Sequence, residues 1–245
     1  MASLTVNRPH HQRIMQALSA FDPAALTACS CYFGGGTAIA LLVGEHRESV
    51  DIDFLCTTQQ GMRALRQTVT SNSLGALVKP GAHLTLHREV IFDRYGVRTV
   101  VNVNGTPIKL ELVYENRVAV TGGPVASLPV PVLHRTDLYT EKLLANSDRG
   151  SDGAILYRDM IDLAAMIATW GPIPEAAWIK ARGAYGPHID LAYTTVLDTL
   201  RTHPAKWEEA CQKMHIDAHW RAKLAQTLGI PGPEQRRRPN HDLSL

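Results

Sequence analysis

Residues 33–55 read FGGGTAIALLVGEHRESVDIDFL, and the strand-like run at their end constrains the fold more than any other stretch. In SVDIDFLC, residues 49–56, polar and apolar positions alternate with a period of two, the mark of a β-strand. Residues i and i+2 of a strand face the same way. Asp51 and Asp53 are therefore expected to point together, with Val50, Ile52 and Phe54 on the other face. Two carboxylates this close repel, and a divalent cation between them removes the conflict. Upstream, Gly34-Gly35-Gly36 leads into the apolar run AIALLV, which predicts a short helix capped by Thr37 and ending near Val43. A backbone without Cβ at a helix N-terminus offers N–H groups and a positive dipole end, a setting for phosphate. Mg²⁺ is usually held by one or two carboxylates plus substrate phosphates. In this order, the glycines and aspartates read as two parts of one nucleoside-triphosphate site. Alone, a triple glycine is a turn and an isolated Asp-x-Asp is common.

The remaining chain divides by texture. Residues 10–29 predict two short helices, the second opened by Asp22-Pro23, a cap followed by proline in the first turn. Gly44 to Glu48 is a polar turn, and residues 58–72 predict a helix. Residues 83–116 hold three strand-like runs, HLTLHREVIF, VRTVVNV and IKLELVY. Arg94-Tyr95-Gly96 and the hairpin signal Asn104-Gly105 separate them, so the stretch reads as an antiparallel meander. A Gly/Pro-rich bridge, TGGPVASLPVPVL at 121–133, precedes segments of helical pattern only. The expectation is an α+β chain: an α/β domain over 1–120 with a mixed or antiparallel sheet flanked by helices, a helical domain over 134–230, and a polar tail over 231–245.

A third carboxylate supports the site. In IKLELV, Glu111 shares a face with Lys109 and Val113, while Ile108, Leu110 and Leu112 face the core. A glutamate in an otherwise apolar strand is rarely buried without a partner. If this strand lies beside 49–56, Glu111 completes an acidic cluster; the alternative is a solvent-facing edge residue.

Composition excludes other classes. Of 245 residues, 45% are apolar and 20% charged, enough for a sizeable core, and a formal charge of +2 sets no bias toward nucleic acid or membrane. Cys29, Cys31, Cys56 and Cys211 are too few for a disulfide scaffold and form no CxxC pair for zinc; reduced thiols are expected. The start MASLTVNRPHHQRIMQAL lacks the apolar core of a signal peptide, and no apolar run reaches the roughly 20 residues of a membrane helix. A soluble cytoplasmic protein without a membrane partner is expected.

GGGT…SVDIDF followed by IKLEL resembles the DNA polymerase β-type nucleotidyltransferase superfamily, with its Gly-Gly or Gly-Ser pair, Asp-x-Asp, and later acidic strand residue. More closely, GGTAIALLVGEHRESVDIDFL is similar to the AbiEii/AbiGii-type nucleotidyltransferases, the toxin half of many bacterial toxin–antitoxin pairs. There a lysine-bearing helix and an RDxxD helix follow. Here EKLLANSDRG supplies Lys142, and YRDMIDL supplies Arg158, Asp159 and Asp162. The resemblance covers residues 31–170, with glycine-threonine where the family often has glycine-serine.

The resemblance implies a polymerase-β-like fold and Mg²⁺-dependent transfer of one or more nucleoside monophosphates from an NTP such as ATP. Asp51, Asp53 and Glu111 would hold the metal, and Gly35, Gly36 and Thr37 the β- and γ-phosphates. Lys142 would add a charge to the triphosphate, an exposed helix lysine being the alternative. A tRNA 3′ end is an implied acceptor and a cognate antitoxin an implied partner. Transfer to protein or to a small molecule such as an aminoglycoside is the alternative within the class; a non-catalytic nucleotide-binding module is the alternative outside it.

Helical geometry orders the RDxxD segment. Leu156, Met160, Leu163 and Ile167 recur on one face, and Arg158 and Asp162, four apart, are expected to pair. Asp159 is left to face the nucleotide cleft near Lys142, orienting that lysine or the acceptor; the alternative is that all three charged residues form an exposed cluster. Elsewhere, Arg47 reads as a solvated turn arginine or a phosphate ligand. The pair His10-His11 reads as surface, and Cys29 and Cys31 as small apolar packing groups. Trp170, Trp178, Trp207 and Trp220 read as core or interface anchors. Arg236-Arg237-Arg238 reads as solvated tail, with contact to RNA phosphates as its alternative.

Overall fold

The computed structural model describes residues 5–150 and 152–231. Helices α1 (Pro9–Ala20) and α2 (Pro23–Ala28) open the chain, and the Asp22 carboxylate accepts from the amides of Ala24 and Ala25, as its position ahead of Pro23 predicts. Strand β1 (Cys31–Gly34) runs directly into α3 (Gly35–Val43). Gly34, and not Thr37, is the N-cap of α3, and Gly35, the residue that turns from strand to helix, has a left-handed φ of +68°. Strand β2 (Ile52–Cys56) and α4 (Gln59–Thr68) follow. The strand is shorter than its alternation, and Val50, expected on the core face, is 48% exposed ahead of it.

The run HLTLHREVIF yields only β3 (Thr85–Leu86) and β4 (Ile91–Phe92), both on the same edge of β5 (Gly96–Val103). A hairpin joins β5 to β6 (Thr106–Tyr114), with Asn104 at φ +51° and Gly105 at φ +82°, the paired left-handed residues of a tight hairpin turn. The meander is thus present in β5–β6, but β6 lays its other edge parallel against β2. Residues 121–133 are more than a bridge: β7 (Gly122–Gly123) and β8 (Val132–Leu133) extend the sheet, which runs β3-β5-β6-β2-β1-β8-β7 and is mixed. Six helices complete the described chain: α5 (Arg135–Arg149), α6 (Arg158–Trp170), α7 (Glu175–Tyr185), α8 (His188–Thr202), α9 (Pro204–Lys213) and α10 (Ala218–Leu228).

Two apolar clusters hold these elements. One packs α1, α2 and α4 on the strands, with the Phe33 and Phe54 rings 5.5 Å apart; the other packs α5–α10. Helix α3 lies between them, giving Ala38 and Leu41 to the first and Ile39 and Val43 to the second. A helix buried on both sides has no polar face, which is why AIALLV is apolar throughout. Each of its buried Ile and Leu side chains contributes about 1.5–3 kcal/mol. Ile52 and Phe54 face the first cluster, which turns Asp53 to the opposite side of β2.

Candidate active site

Strand register assembles the acids. Asp53 lies opposite Gly34 of antiparallel β1 and opposite Glu111 of parallel β6. Asp51, Asp53 and Glu111 line one cleft of about 420 Å³ together with Gly35, Gly36, Lys142, Arg149 and Arg158. Burial pushes the Asp53 carboxyl up to about 6, and the neighbouring charges of Asp51 and Glu111 push the same way.

Glu111 is drawn sideways. Lys109 Nζ donates to its Oε2 at 2.5 Å, and Arg98 Nε lies 3.5 Å from Oε1. Among the described residues no three His, Cys, Asp or Glu side chains are gathered closely enough to hold a metal ion. Register thus sets Asp53 beside Glu111, with Asp51 just ahead of β2 in the same cleft, and the three side chains do not gather into one cluster. The donor set still fits Mg²⁺: an aspartate pair in which burial and then mutual repulsion raise the proton affinity of Asp53, beside a glycine cradle for phosphate, supplies what a nucleotide-bound Mg²⁺ needs from protein.

Close approach requires the glycines. A Cβ on Gly35, whose φ is left-handed, would stand 2.6 Å from Asp53 Oδ2, and one on Gly36 would overlap the Arg47 guanidinium. Thr37, expected on the phosphates, is buried and absent from the cleft lining. Its hydroxyl lies 2.6 Å from the Asp51 carbonyl oxygen and 2.8 Å from Ser49 Oγ, so it braces the backbone that carries Asp51.

Behind the glycines lies a buried ion cluster. Asp162 accepts from Arg47 Nε at 2.7 Å and Nη2 at 2.9 Å, sits 2.8 Å from His46 Nε2, and meets Lys142 Nζ at 2.6 Å. Asp159 accepts from Lys142 Nζ at 2.8 Å and from Arg149 Nε at 2.8 Å. Burial alone would raise both carboxyls; instead Arg47 and Lys142 hold Asp162 well below its ordinary value, and Lys142 and Arg149 hold Asp159 at about 2. Removing one partner of such a buried set typically costs about 3–5 kcal/mol, because it strands an uncompensated charge.

Four sequence expectations change here. Arg47 is a buried partner of Asp162, not a solvated turn residue. Lys142 reaches the cleft but is buried with two carboxylates, and Asp159 stands behind it without lining the cleft. Arg158 does not pair with Asp162, because Asp162 is fully buried and already saturated by donors from other elements. Arg158 begins α6 after Leu156 and Tyr157, both left-handed at φ +57°. Two such non-glycine residues cost roughly 1–3 kcal/mol each, strain of the kind that collects at functional sites.

His11 was expected on the surface and is fully buried. Its Nδ1 lies 2.8 Å from Glu45 Oε1, and its Nε2 accepts from the Ser49 amide at 3.0 Å. Accepting at Nε2 requires the neutral ring, and burial lowers the pKa of His11 despite Glu45. Through Ser49 and Thr37, α1 is tied to Asp51. No local pattern marks His11, Arg47 or Arg149, since each acts through a partner distant in sequence.

The other residues are scaffold. Among the described residues the four cysteines are free and buried, Trp207 and Trp220 are buried anchors, and Trp170 and Trp178 pack partly buried on the second cluster. No helix among the described residues is long and apolar enough to cross a membrane. Arg236, Arg237 and Arg238 lie outside the described residues.

A family model described as nucleotidyl transferase AbiEii toxin, type IV TA system, matches residues 16–230. No curated protein matches the sequence. Solved structures similar to this chain include a protein from H. pylori, at 18% identity and TM-score 0.49, covering 94% of this chain and 97% of that one. JHP933 from Helicobacter pylori is similar at 16% identity and TM-score 0.48, covering 92% of each chain. An antigenic nucleotidyltransferase-like protein from Paracoccidioides brasiliensis is similar at 14% identity and TM-score 0.42, covering 82% of this chain and 93% of that one. Likenesses of this size add nothing to the assignment, which rests on the family match.

Proposed function

The chain belongs to the AbiEii nucleotidyl transferase toxin family of type IV toxin–antitoxin systems, and on that premise we propose that its cleft binds an NTP with Mg²⁺ and transfers one or more nucleoside monophosphates to an acceptor hydroxyl. The observation that carries this reading is the register of Gly34, Asp53 and Glu111 across three neighbouring strands, with Asp51, Gly35 and Gly36 in the same cleft.

Asp51 and Asp53 would hold the metal on the triphosphate, the Gly35 and Gly36 backbone would approach the phosphates, and Glu111 would act on the side of the attacking group. Bound there, Mg²⁺ supplies charge neutralisation on the phosphates and a lower pKa for the attacking hydroxyl. The acceptor hydroxyl would give up its proton to solvent as its oxygen bonds to the α-phosphorus, the bond from that phosphorus to the bridging oxygen breaks, and pyrophosphate leaves with the electron pair. Lys142 reaches the cleft from a position fixed by Asp159 and Asp162, which balance its charge. Asp159 therefore acts on the lysine and not on the nucleotide.

On the family resemblance, the acceptor is a tRNA 3′ end, the setting is the cytoplasm, and the protein partner is a cognate antitoxin. The test incubates the protein and Mg²⁺ with each α-labelled NTP and total cell RNA or lysate. Label in RNA of tRNA size is expected. Label in protein or in a small molecule would move the acceptor, and no label with any NTP would overturn the transfer itself.

A further inference from the structure

Six cations line the cleft, and five of them have a carboxylate partner. Arg47 pairs with Asp162, Lys109 with Glu111, Lys142 with Asp159 and Asp162, Arg149 with Asp159, and Lys213 with Glu209. Arg158 makes no side-chain hydrogen bond or ion pair among the described residues, although it lines the same cleft and is only partly exposed.

Its place in the cleft follows from α6. Arg158 and Asp162 are four apart on the helix and so share a face, with Arg158 one turn closer to the N-terminus. Asp162 grips Arg47, whose guanidinium covers Gly36, and Gly35 abuts Asp53. Arg158 and the aspartates thus line one cleft, whose wall is continued by the glycines and the Arg47–Asp162 pair. Leu156 and Tyr157, both left-handed, precede the helix, and the adjacent carboxylate, Asp159, is taken by Lys142 and Arg149. A planar guanidinium with unused donors matches the oxygens of a phosphate group.

We propose that Arg158 reads the terminal phosphates of the bound nucleotide, so that the cleft takes a nucleoside triphosphate in preference to a di- or monophosphate. This rests on reading the cleft as a nucleotide site. It gives the role expected of Lys142 to a residue that still has charge to offer, since Lys142 is neutralised by two acids. Transfer at the α-phosphorus beside Asp51 and Asp53 would then extend the leaving pyrophosphate toward Arg158.

The test measures equilibrium binding, with Mg²⁺, of each of the four ribonucleotides as tri-, di- and monophosphate to wild type, Arg158→Ala and Arg158→Lys. Loss of the guanidinium is expected to weaken triphosphate binding about tenfold or more and leave monophosphate binding unchanged, with Arg158→Lys in between. The melting temperature without nucleotide should not move, because no internal partner is lost. Two results would overturn the proposal: an unchanged preference for triphosphate in Arg158→Ala, or an equal loss for all three phosphate states. Should the wild type bind no nucleotide, the reading of the cleft fails and this inference with it. If it binds them and the variant behaves alike, only the inference fails.

Discussion

Asp162 accepts two parallel hydrogen bonds from Arg47, at 2.7 and 2.9 Å, joining the loop ahead of the aspartate strand to a helix 115 residues further along. The pair is buried, and the arginine it holds is the surface on which Gly36 rests. The helical half therefore sets the position of the glycine turn, although it contributes neither the glycines nor the strand acids.

Asp162→Ala should be the most destabilising of the acidic substitutions. It strands Arg47 and removes a partner each from His46 and Lys142, which points to a loss of about 3–5 kcal/mol and a melting temperature lower by roughly 6–20 °C. Thermal unfolding of Asp162→Ala beside Asp159→Ala checks this. Asp159→Ala should lose less, because Lys142 keeps Asp162 and Arg149 is partly exposed. A larger loss from Asp159→Ala would reverse the ranking.

Acid should weaken the fold between about pH 4 and pH 2 through Asp159. Its folded pKa of about 2 lies below the ordinary carboxylate value, so its contribution is complete above the unfolded pKa and disappears as pH falls through the folded one. The contribution is on the order of 2 kcal/mol. Urea unfolding from pH 5 to pH 2 should show a shallower decline for Asp159→Asn than for wild type.

Asp51→Asn and Asp53→Asn should each abolish nucleotidyl transfer and leave the fold intact. For Asp53 the sign of the stability change follows from its raised pKa of about 6. The charged carboxylate is disfavoured in the fold, a penalty absent below about pH 4 and complete above about pH 6. Without metal, Asp53→Asn should melt at or above the wild-type temperature at pH 8. A large melting loss with transfer retained would make these residues structural.

Glu111→Gln should lower turnover more than NTP binding if, as proposed, Glu111 acts on the side of the attacking group. Its partner Lys109 is half exposed, so the stability change should stay within about 1 kcal/mol. Steady-state rates at saturating NTP and Mg²⁺ decide the matter: wild-type turnover there removes Glu111 from the reaction.

His11→Ala should lower both melting temperature and turnover while NTP affinity holds. The substitution leaves the Ser49 amide without its buried acceptor, a cost of about 1–3 kcal/mol, and loosens the tie from Ser49 and Thr37 to the Asp51 backbone. Parallel measurement of unfolding and of turnover against NTP concentration separates the two effects. An unchanged turnover would confine His11 to the scaffold.

What the sequence determined by itself was whatever depends on neighbours along the chain. A period of two placed Asp53 opposite Ile52 and Phe54, Asn104-Gly105 made the hairpin, Asp22 capped α2, and the glycines ahead of an apolar run made the strand-to-helix turn. Tertiary structure decided what depends on burial. Thr37 and His11 have ordinary local surroundings, yet both sit inside, where their hydrogen bonds must be met by Ser49, Asp51 and Glu45. Arg158 and Asp162 have the spacing of a helical ion pair. Removing the Asp162 carboxylate from water demands more than one cation can give, however, and three groups from other elements answer it. Sequence spacing sets which groups can meet along one element. The cost of desolvating a charge selects which groups do meet, and that cost exists only once the sheet and helices have closed over it.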